Sequence, residues 1–256
     1  MTYEPGVRSQ RHRSRTATRM IVGDGMLARA FHSAFHSDEN TLIFASGVSN
    51  SQEIGLDAFQ RERALLEHAL TSDSRRIVYF SSCSVAADTA ALTPYLRHKR
   101  GMESLVLSSF KGVVIRLPQV VGRTSNPITF ANFIRDRVVS GDRFSVWAKA
   151  ERNFVDVDDV ASIGAALVAE RDCPRVVAIA APQSRGVTEI IEVFENVLGK
   201  KANYVLEDRG CPLQIDSTYS DEAARRLGIE LDGNYLERIV RKYYGSAGPV
   251  QRGSHR

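Results

Sequence analysis

The sequence predicts an α/β protein in which a parallel β-sheet is covered by helices on both faces. Short apolar segments of strand length alternate with longer amphipathic segments from Met20 to Leu117, and this alternation is typical of βαβ units. A glycine-rich turn lies directly between the first strand and the first helix. The chain has 256 residues, enough for one large domain or for one domain with a small additional lobe.

Four predicted strands and the helices between them make up the first half of the chain. The strands are apolar and cover residues 20–22, 41–45, 77–80 and 113–117. One helix follows the glycine turn, a second covers residues 57–70, and a third carries Tyr95 and ends near Ser108. Because strands joined by helices pair in parallel, we expect one sheet buried between two helical layers.

The second half of the chain has a looser pattern, which predicts the remaining strands and a smaller C-terminal lobe. Its helices are expected at 130–138, at 159–169 after a strand that begins at Arg152, at 188–198 with Thr188 as N-cap, and at 221–227 and 235–244. Either Asp158 or Asp159 is expected to cap the helix at 159–169. We expect Trp147, in an apolar segment, to lie in the core, and stacking on a nucleotide base or sugar is the alternative.

The charge distribution argues against a general nucleic-acid binder. The formal net charge is +4, but five arginines lie within residues 1–19 and two within residues 246–256. Without these tails, 27 Lys and Arg residues stand against 29 Asp and Glu residues. The folded body is therefore close to neutral, and we expect both tails to be disordered.

Cysteine content and hydropathy predict a reduced cytoplasmic protein that does not bind a membrane. Cys83, Cys173 and Cys211 are too few and too scattered for a disulfide framework or a zinc site, and we expect no bound metal. The sequence contains no run of roughly 18 apolar residues, the length that a membrane-spanning helix needs. The N-terminal stretch also lacks the apolar segment of a secretory signal.

The turn Gly23-x-Gly25-x-x-Ala28 lies in the context that a dinucleotide-binding fingerprint requires. The first glycine permits a tight turn, the second lets the backbone approach a pyrophosphate, and the alanine lets the helix pack on the strand. Unpaired N–H groups at the helix start then face the phosphates. A strand–helix turn without a ligand is the alternative. The next strand ends in Phe44-Ala45-Ser46-Gly47, without an acid or arginine that would distinguish NAD from NADP.

Tyr95 and Lys99 follow an apolar strand that ends in Ser81 and Ser82. On a helix, residues four apart lie on one face, so that the phenol and the ammonium converge. A nearby ammonium favours the phenolate, and we therefore expect the pKa of Tyr95 to be lowered. With a serine hydroxyl, this pair can move a proton at a carbonyl oxygen while a hydride moves at its carbon. A half-buried tyrosine and a solvated lysine on an ordinary helix are the alternative, and we expect His98 to be solvated on a different face.

These segments together resemble the extended short-chain dehydrogenase/reductase family, in particular its enzymes that act on nucleotide sugars. The resemblance runs from about Met20 to Tyr244, and it includes Glu103, the segment Arg116–Gly122 and the segment Arg152–Val160. It implies a Rossmann-like, doubly wound parallel sheet. Since residues 44–47 look like the end of the family's fourth strand, it also implies a sheet shortened by loss of the second and third strands.

The resemblance implies roles for individual residues. Ser82, Tyr95 and Lys99 match the family's catalytic residues, with Ser81 as the rival of Ser82. Lys99 would also hold the nicotinamide ribose, and Arg152 would grip the diphosphate of a sugar nucleotide that also contacts Cys83 and Gln119. The positions that match the binding site for NAD or NADP are Gly23, Gly25, Met26, Leu27, Ala28, Ala45, Ser46, Gly47, Tyr95, Lys99, Leu117 and Pro118.

The resemblance also implies a reaction and a domain organisation. Family dehydratases carry an Asp-Glu pair after the catalytic hydroxyl, where this chain has Cys83 and Ser84, so dehydration is not expected. The implied activity is NAD(P)-dependent reduction of a keto group, at C4, of a nucleotide-linked sugar. A 4-epimerase with tightly held NAD and a non-catalytic nucleotide-binding relative are the alternatives, and a homodimer is compatible with each. The expected organisation is a tail (1–18), a cofactor-binding core (19–123), the remaining strands with a substrate lobe (124–244) and a second tail (245–256).

Overall fold

The computed structural model of the chain describes residues 20–35, 40–86 and 92–245. The two tails that we expect to be disordered lie outside these ranges, apart from Gly245. None of the helices in the described ranges combines the length and the apolar composition needed to cross a membrane.

Helices and strands alternate along the first half of the chain, as predicted. They are, in order, β1 (Ile21–Val22), α1 (Met26–Ala34), β2 (Thr41–Phe44), α2 (Leu56–Ser72), β3 (Arg76–Ser82), α3 (Pro94–Ser108) and β4 (Gly112–Leu117). A short 3-10 helix over Cys83–Ala86 follows β3. The ends of these elements differ from the predicted ones by one or two residues, as expected where helices and strands fray.

The second half contains more short strands than the sequence predicts. The elements are β5 (Gln119–Val121), α4 (Phe130–Ser140), β6 (Phe144–Trp147), β7 (Glu151–Arg152), β8 (Phe154–Asp156), α5 (Val157–Ala169), β9 (Val176–Ala178), β10 (Arg185–Gly186), α6 (Val187–Leu198), β11 (Tyr204–Glu207), α7 (Thr218–Leu227) and α8 (Tyr235–Tyr244). β10 and β11 escaped prediction because a strand this short carries little periodicity of its own.

Two predicted helix N-caps are wrong. α6 begins one residue earlier than predicted, and its N-cap is Gly186 rather than Thr188. The N-cap of α5 is Asp156 rather than Asp158 or Asp159, because the Asp156 side chain accepts a hydrogen bond from the backbone N–H of Asp158. The two later aspartates instead occupy the first turn, where a negative charge is also favourable.

Five strands form a parallel sheet in the order β1-β2-β3-β4-β9. The central pair, β3 and β4, is in register from Ile77 opposite Gly112 to Ser82 opposite Leu117. Within residues 20–35, 40–86 and 92–245, no strand pairs with the outer side of β1. A doubly wound sheet normally reverses its strand order beside the first strand, and the loss of the family's second and third strands stays a prediction.

Helices cover both faces of this sheet, which confirms the predicted layers. On one face α1 packs on α5 so closely that a Cβ added at Gly164 would lie 2.8 Å from the ring of Phe31. On the other face, Leu66 of α2 and Met102 of α3 are buried in one cluster with Tyr79 of β3. The carboxyl ends of β1, β2 and β3 therefore open between the two layers, where a parallel sheet binds its ligand.

A second core joins α4, α6 and α8 and forms the C-terminal lobe. Ile134, Ile190, Phe194 and Val240 are all fully buried in it. This lobe is tied to β8 and to the start of α5 by buried Asp156, whose carboxylate accepts hydrogen bonds from Lys242 Nζ at 2.7 Å and from Tyr243 Oη at 2.8 Å. One carboxylate thus caps α5 and anchors α8.

Replacing Asp156 by Ala should lower the free energy of unfolding by about 2–4 kcal/mol, because it removes an N-cap and two hydrogen bonds to a buried charge. Urea denaturation followed by circular dichroism measures the change. Asp158→Ala is the matched control, since the Asp158 side chain also pairs with Lys242 but is 64% exposed. We expect it to cost less than about 0.5 kcal/mol. Equal effects of the two substitutions would contradict the anchoring role of Asp156.

Candidate active site

The glycine loop touches the segment that follows β2, so that two of the predicted cofactor-binding segments are in contact. Gly23 has a φ of 123°, and a Cβ at this position would lie 2.5 Å from the carbonyl oxygen of Ala45. Only glycine meets both requirements. α1 starts after Gly25 without a side-chain cap, and among the described residues no heavy atom other than those of Gly25 and its chain neighbours lies within 4 Å of a Cβ built at Gly25. The first N–H groups of α1 therefore border open space, the arrangement that binds a phosphate.

Other residues predicted to bind the cofactor lie in the core next to the glycine loop. Ala28 and Leu117 are buried, and Leu27 packs against the same cluster. Met26 lies beneath the end of β5, because a Cβ at Gly122 would lie 2.6 Å from the Met26 sulfur. Their predicted contact with a cofactor stays a prediction, as does that of half-buried Pro118.

Ser82 lies close enough to Tyr95 for its side chain to act on the pKa of the phenol. The Ser82 Oγ also accepts a hydrogen bond from the backbone N–H of Ser84 at 3.2 Å, where the 3-10 helix begins. The rival hydroxyl, Ser81 Oγ, is buried and has no hydrogen-bond partner in the described part of the chain. Of the two serines, Ser82 is therefore the one directed at the phenol.

The predicted lowering of the Tyr95 pKa is wrong. Burial raises the pKa of Tyr95 to about 12, the negative charge of Glu62 adds to the rise, and the side chain of Ser82 opposes it. The ammonium of Lys99 lies 5.9 Å from the centre of the Tyr95 ring, and its N–H groups are directed elsewhere. Tyr95 is therefore a protonated phenol at neutral pH.

The ammonium of Lys99 is enclosed by partners within the protein. Lys99 is 2% exposed, and Nζ donates to Glu62 Oε1 at 3.0 Å, to Tyr79 Oη at 2.9 Å and to the Phe80 carbonyl oxygen at 3.5 Å. An ammonium has three N–H donors, and these three acceptors use all of them. Lys99 is thus neither solvated, as in the alternative for its spacing, nor free to bind a ligand in this arrangement.

Glu62 of α2 is the centre of this polar cluster. Its carboxylate is fully buried, and besides Lys99 it accepts hydrogen bonds from Val48 N at 2.7 Å, Tyr79 Oη at 2.6 Å and His98 Nε2 at 2.9 Å. Burial alone would raise the pKa of Glu62, but the hydrogen bond from His98, the charge of Lys99 and the other two donors outweigh it and lower this pKa to about 2.

Sequence reasoning missed Glu62, although one signal was present. The apolar face of α2 contains the buried residues Phe59, Leu66 and Ala69, and the helical period places Glu62 on that same face. A glutamate in such a position is almost never fully buried without a partner. It therefore predicts a buried cation, but the pattern does not identify which lysine or histidine supplies it.

The prediction that His98 is solvated on another face is also wrong. The His98 ring stacks on Phe59 with 4.5 Å between centroids and 21° between planes, and its Nε2 is bonded to Glu62. Because a carboxylate only accepts hydrogen bonds, this nitrogen carries the proton. His98 and Lys99 are successive residues of α3 and therefore point about 100° apart. Both side chains still reach Glu62, because α2 packs directly against α3.

The Cys83 side chain is buried, and the charged groups near its thiol are Arg116 and Glu103. Burial raises the pKa of Cys83 to about 12, and the nearby charge of Arg116 opposes this. Arg116 itself forms a two-pronged ion pair with Glu103, at 2.9 Å and 2.7 Å. Cys83 is therefore a neutral thiol at neutral pH, and its predicted contact with substrate stays a prediction.

Arg152 lies in an aromatic cavity of about 170 Å³ in the C-terminal lobe. Its guanidinium is 5.5 Å from the centre of the Phe130 ring, and its Nη1 donates to the carbonyl oxygen of Glu151 at 2.7 Å. No carboxylate forms a salt bridge with Arg152 within the ranges that the structure describes. Burial lowers the pKa of Arg152 because it disfavours the charged guanidinium. An anion bound in this cavity would offset this cost of burying the charge.

Trp147 was predicted to lie in the core and Gln119 to contact the substrate, and the structure tests only the first of these predictions. Trp147 was expected in the core, but it lines the cavity and is 47% exposed, with the guanidinium of Arg209 at 5.7 Å from its ring centre. Gln119 lies in β5 opposite Phe154 of β8, which brings it into the same small sheet as the strand that follows Arg152. Neither Ser82 nor Tyr95 borders the cavity.

Comparison with known proteins identifies the family. The sequence model of the NAD dependent epimerase/dehydratase family matches residues 7–180, more than half of the chain, and the chain therefore belongs to this family. This confirms the predicted family resemblance. No curated protein matches the chain in sequence.

Solved structures of similar fold include three proteins of related type. RMD from Pseudomonas aeruginosa, in complex with NADPH, has a TM-score of 0.65 at 17% identity, over 86% of this chain and 96% of that chain. UDP-glucuronic acid 4-epimerase from Bacillus cereus, in complex with UDP-glucuronic acid and NAD, has a TM-score of 0.63 at 16% identity, over 86% and 79%. dTDP-glucose 4,6-dehydratase from Bacillus anthracis, in complex with NAD, has a TM-score of 0.60 at 16% identity, over 88% and 79%. This similarity confirms the predicted Rossmann-like fold.

The buried pair of Glu62 and Lys99 should show strong energetic coupling. Replacing Lys99 by Met leaves the Glu62 charge buried without its cation and should cost about 3–5 kcal/mol of unfolding free energy. The double substitution E62Q/K99M removes both charges and should cost less than the sum of the single substitutions. Urea denaturation of the four proteins measures this coupling.

The exposed pair Arg63 and Glu67, one turn apart on the same helix, is the matched control. Their side chains are 56% and 46% exposed at a distance of 2.8 Å, so that their coupling should stay below about 0.5 kcal/mol. Similar coupling energies for the two pairs would show that Glu62 and Lys99 do not interact as the structure describes.

Proposed function

We propose that the chain reduces a keto group, at C4, of a nucleotide-linked sugar with NADH or NADPH, through Ser82 and Tyr95. The observation that carries this proposal is that Ser82, at the end of β3, lies close enough to the buried Tyr95 phenol to act on its pKa. Membership of the NAD dependent epimerase/dehydratase family supports the class of chemistry. The similar proteins named above were solved with NAD or NADPH.

The residues at the glycine loop fit the diphosphate of a dinucleotide. Gly23 and Gly25 let the backbone approach it, and the uncapped start of α1 offers N–H donors. When bound, NADH or NADPH supplies the hydride. The fit is incomplete elsewhere, because β1 is the edge of the described sheet and because the donors of Lys99 are used within the protein.

Ser82 and Tyr95 would handle the proton. A carbonyl oxygen that accepts hydrogen bonds from both hydroxyls is polarised towards attack at carbon. As the carbon is reduced, its oxygen becomes an alkoxide, which is more basic than a phenolate. The proton therefore moves from Tyr95 to the product oxygen, and bulk water later restores it.

The direction of the Tyr95 pKa favours a reductase over a 4-epimerase. A 4-epimerase first removes the proton of a sugar hydroxyl, which requires Tyr95 as phenolate. A phenol with a pKa of about 12 is rarely in that form at neutral pH, whereas it is fully available as a proton donor. The reducing direction is therefore the easier one for this site.

The cavity around Arg152 would bind the nucleotide diphosphate of the substrate. A guanidinium forms two parallel hydrogen bonds with a phosphate, and Arg152 has no competing carboxylate in the described residues. The surrounding rings of Phe130, Phe133, Phe144 and Trp147 offer surfaces on which a base or sugar can stack. We propose that Gln119 and Cys83 also contact the substrate, at positions between this cavity and Ser82.

A non-catalytic nucleotide-binding relative is the second candidate. The observation that favours it is the enclosure of Lys99, since the family resemblance assigns this lysine to the cofactor and to Tyr95. Such a protein would bind the nucleotide sugar through Arg152 without turnover. Its binding of the nucleotide sugar would also not change if Tyr95 lost its hydroxyl.

Replacing Tyr95 by Phe should abolish reduction of a nucleotide-linked 4-keto sugar and leave the affinity for NADPH within about twofold, because only the proton donor is removed. Steady-state kinetics and fluorescence titration with NADH and NADPH measure the two effects. Ser81→Ala is the matched control, because its hydroxyl has no described partner; it should retain most of the activity that Ser82→Ala loses. Turnover retained by the Tyr95 variant would refute the proposal.

The pH dependence should differ between the two directions of the reaction. Reduction needs the protonated phenol and should be flat in kcat as pH rises from about 6 to 9, since the pKa of Tyr95 is raised to about 12. Oxidation of the alcohol needs the phenolate and should rise about tenfold per pH unit over the same range. A reductive kcat that already falls near pH 8 would contradict this assignment of the pKa.

A further inference from the structure

We propose that Glu62 is a positioning residue that withholds Lys99 from the active site, so that Lys99 must leave Glu62 before it can bind the ribose of a dinucleotide. The inference rests on the proposed function for the part that Lys99 plays towards a cofactor. The withholding itself rests on the geometry of residues 47–48, α2, β3 and α3 alone.

The three acceptors of Lys99 leave no donor for a ligand. Glu62 Oε1, Tyr79 Oη and the Phe80 carbonyl oxygen lie 3.0, 2.9 and 3.5 Å from Nζ, and an ammonium has three N–H groups. A ribose hydroxyl can therefore be bound only if one of these bonds breaks. The longest of the three bonds is made to the backbone of β3, whereas Glu62, on α2, is the acceptor that also holds the loop after β2.

The backbone of the loop after β2 lies directly against this cluster at Gly47. A Cβ at Gly47 would lie 2.9 Å from Lys99 Nζ and 3.1 Å from Glu62 Oε1, and Gly47 itself is exposed. The next residue, Val48, donates its N–H to Glu62 at 2.7 Å. The same carboxylate thus holds both Lys99 and the loop that covers it.

Glu62 is held from all sides, so that it cannot follow Lys99 outwards. Tyr79 and His98 donate to its two oxygens from β3 and α3, and Glu103 of α3 is the other acid whose charge acts on Lys99. Release of Lys99 therefore breaks a buried ion pair instead of moving it as a unit. This sets an energetic cost on every binding event that uses Lys99.

Removing the Glu62 charge should make Lys99 more reactive towards acetylation and should strengthen cofactor binding. In the wild-type protein without cofactor, acetic anhydride should acetylate Lys99 at least roughly tenfold more slowly than Lys201, whose side chain is 84% exposed. In Glu62→Gln this ratio should fall about tenfold or more, and the dissociation constant for NADPH should decrease by roughly tenfold. Peptide mass spectrometry and fluorescence titration measure the two effects.

Glu195→Gln is the matched control, because Glu195 is also a largely buried helical glutamate paired with a lysine, remote from this cluster. This substitution removes the partner of Lys201, so the reference lysine for this variant is Lys149, whose side chain is 60% exposed. The control should change neither the acetylation of Lys99 relative to Lys149 nor NADPH binding. If Glu62→Gln does not fold, Glu62→Asp takes its place, since it keeps the charge and withdraws it by one methylene. The expected changes then have the same sign and are smaller.

The outcomes separate this inference from the proposed function. Wild-type Lys99 that is acetylated as fast as Lys201 overturns the inference and leaves the reductase proposal standing. So does NADPH binding that is measurable in the wild-type protein and stays equal or weakens in a folded Glu62 variant. Acetylation that depends on Glu62, with no binding of NADH or NADPH by either protein, supports the withholding of Lys99. That same result overturns the reductase in favour of the non-catalytic relative.

Discussion

The buried carboxylate of Glu62 is the interaction on which the arrangement of the site depends. It accepts hydrogen bonds from the backbone of residue 48, from Tyr79 of β3 and from His98 and Lys99 of α3. Four donors around one fully buried acid compensate for the loss of its hydration. They also fix how α2, α3 and the loop after β2 lie over the carboxyl end of the sheet.

The same network sets the chemical state of the proposed proton donor. Tyr95 is buried near the negative charge of Glu62, and both conditions favour its protonated form. Lys99 neutralises Glu62 rather than a developing phenolate, because its ammonium is directed away from the Tyr95 hydroxyl and into the cluster. A substitution at Glu62 therefore acts on stability and on acidity at once, which makes the two effects worth separating experimentally.

The two halves of the site are supported by different parts of the fold. The glycine loop, Ser82 and Tyr95 belong to the sheet and its flanking helices, whereas the cavity around Arg152 belongs to the C-terminal lobe. The link between them runs through β8 and Asp156, which joins α5 of the first part to α8 of the second. The position of a nucleotide sugar relative to Tyr95 would thus depend on a buried carboxylate remote from either ligand.

Sequence patterns determined much of this protein, because the features concerned are local. The alternation of strands and helices follows from periodicity, and the requirement for glycine at position 23 follows from the tight turn between the first strand and the first helix. The destinations of Lys99 and His98 could not be predicted in this way, because their partner Glu62 lies 37 and 36 residues away. Only the packing of α2 against α3 decides that Lys99 faces an acid in the core rather than a phenol or a ligand. The charge of a lysine acts on whichever group the tertiary structure brings within a few ångströms of it.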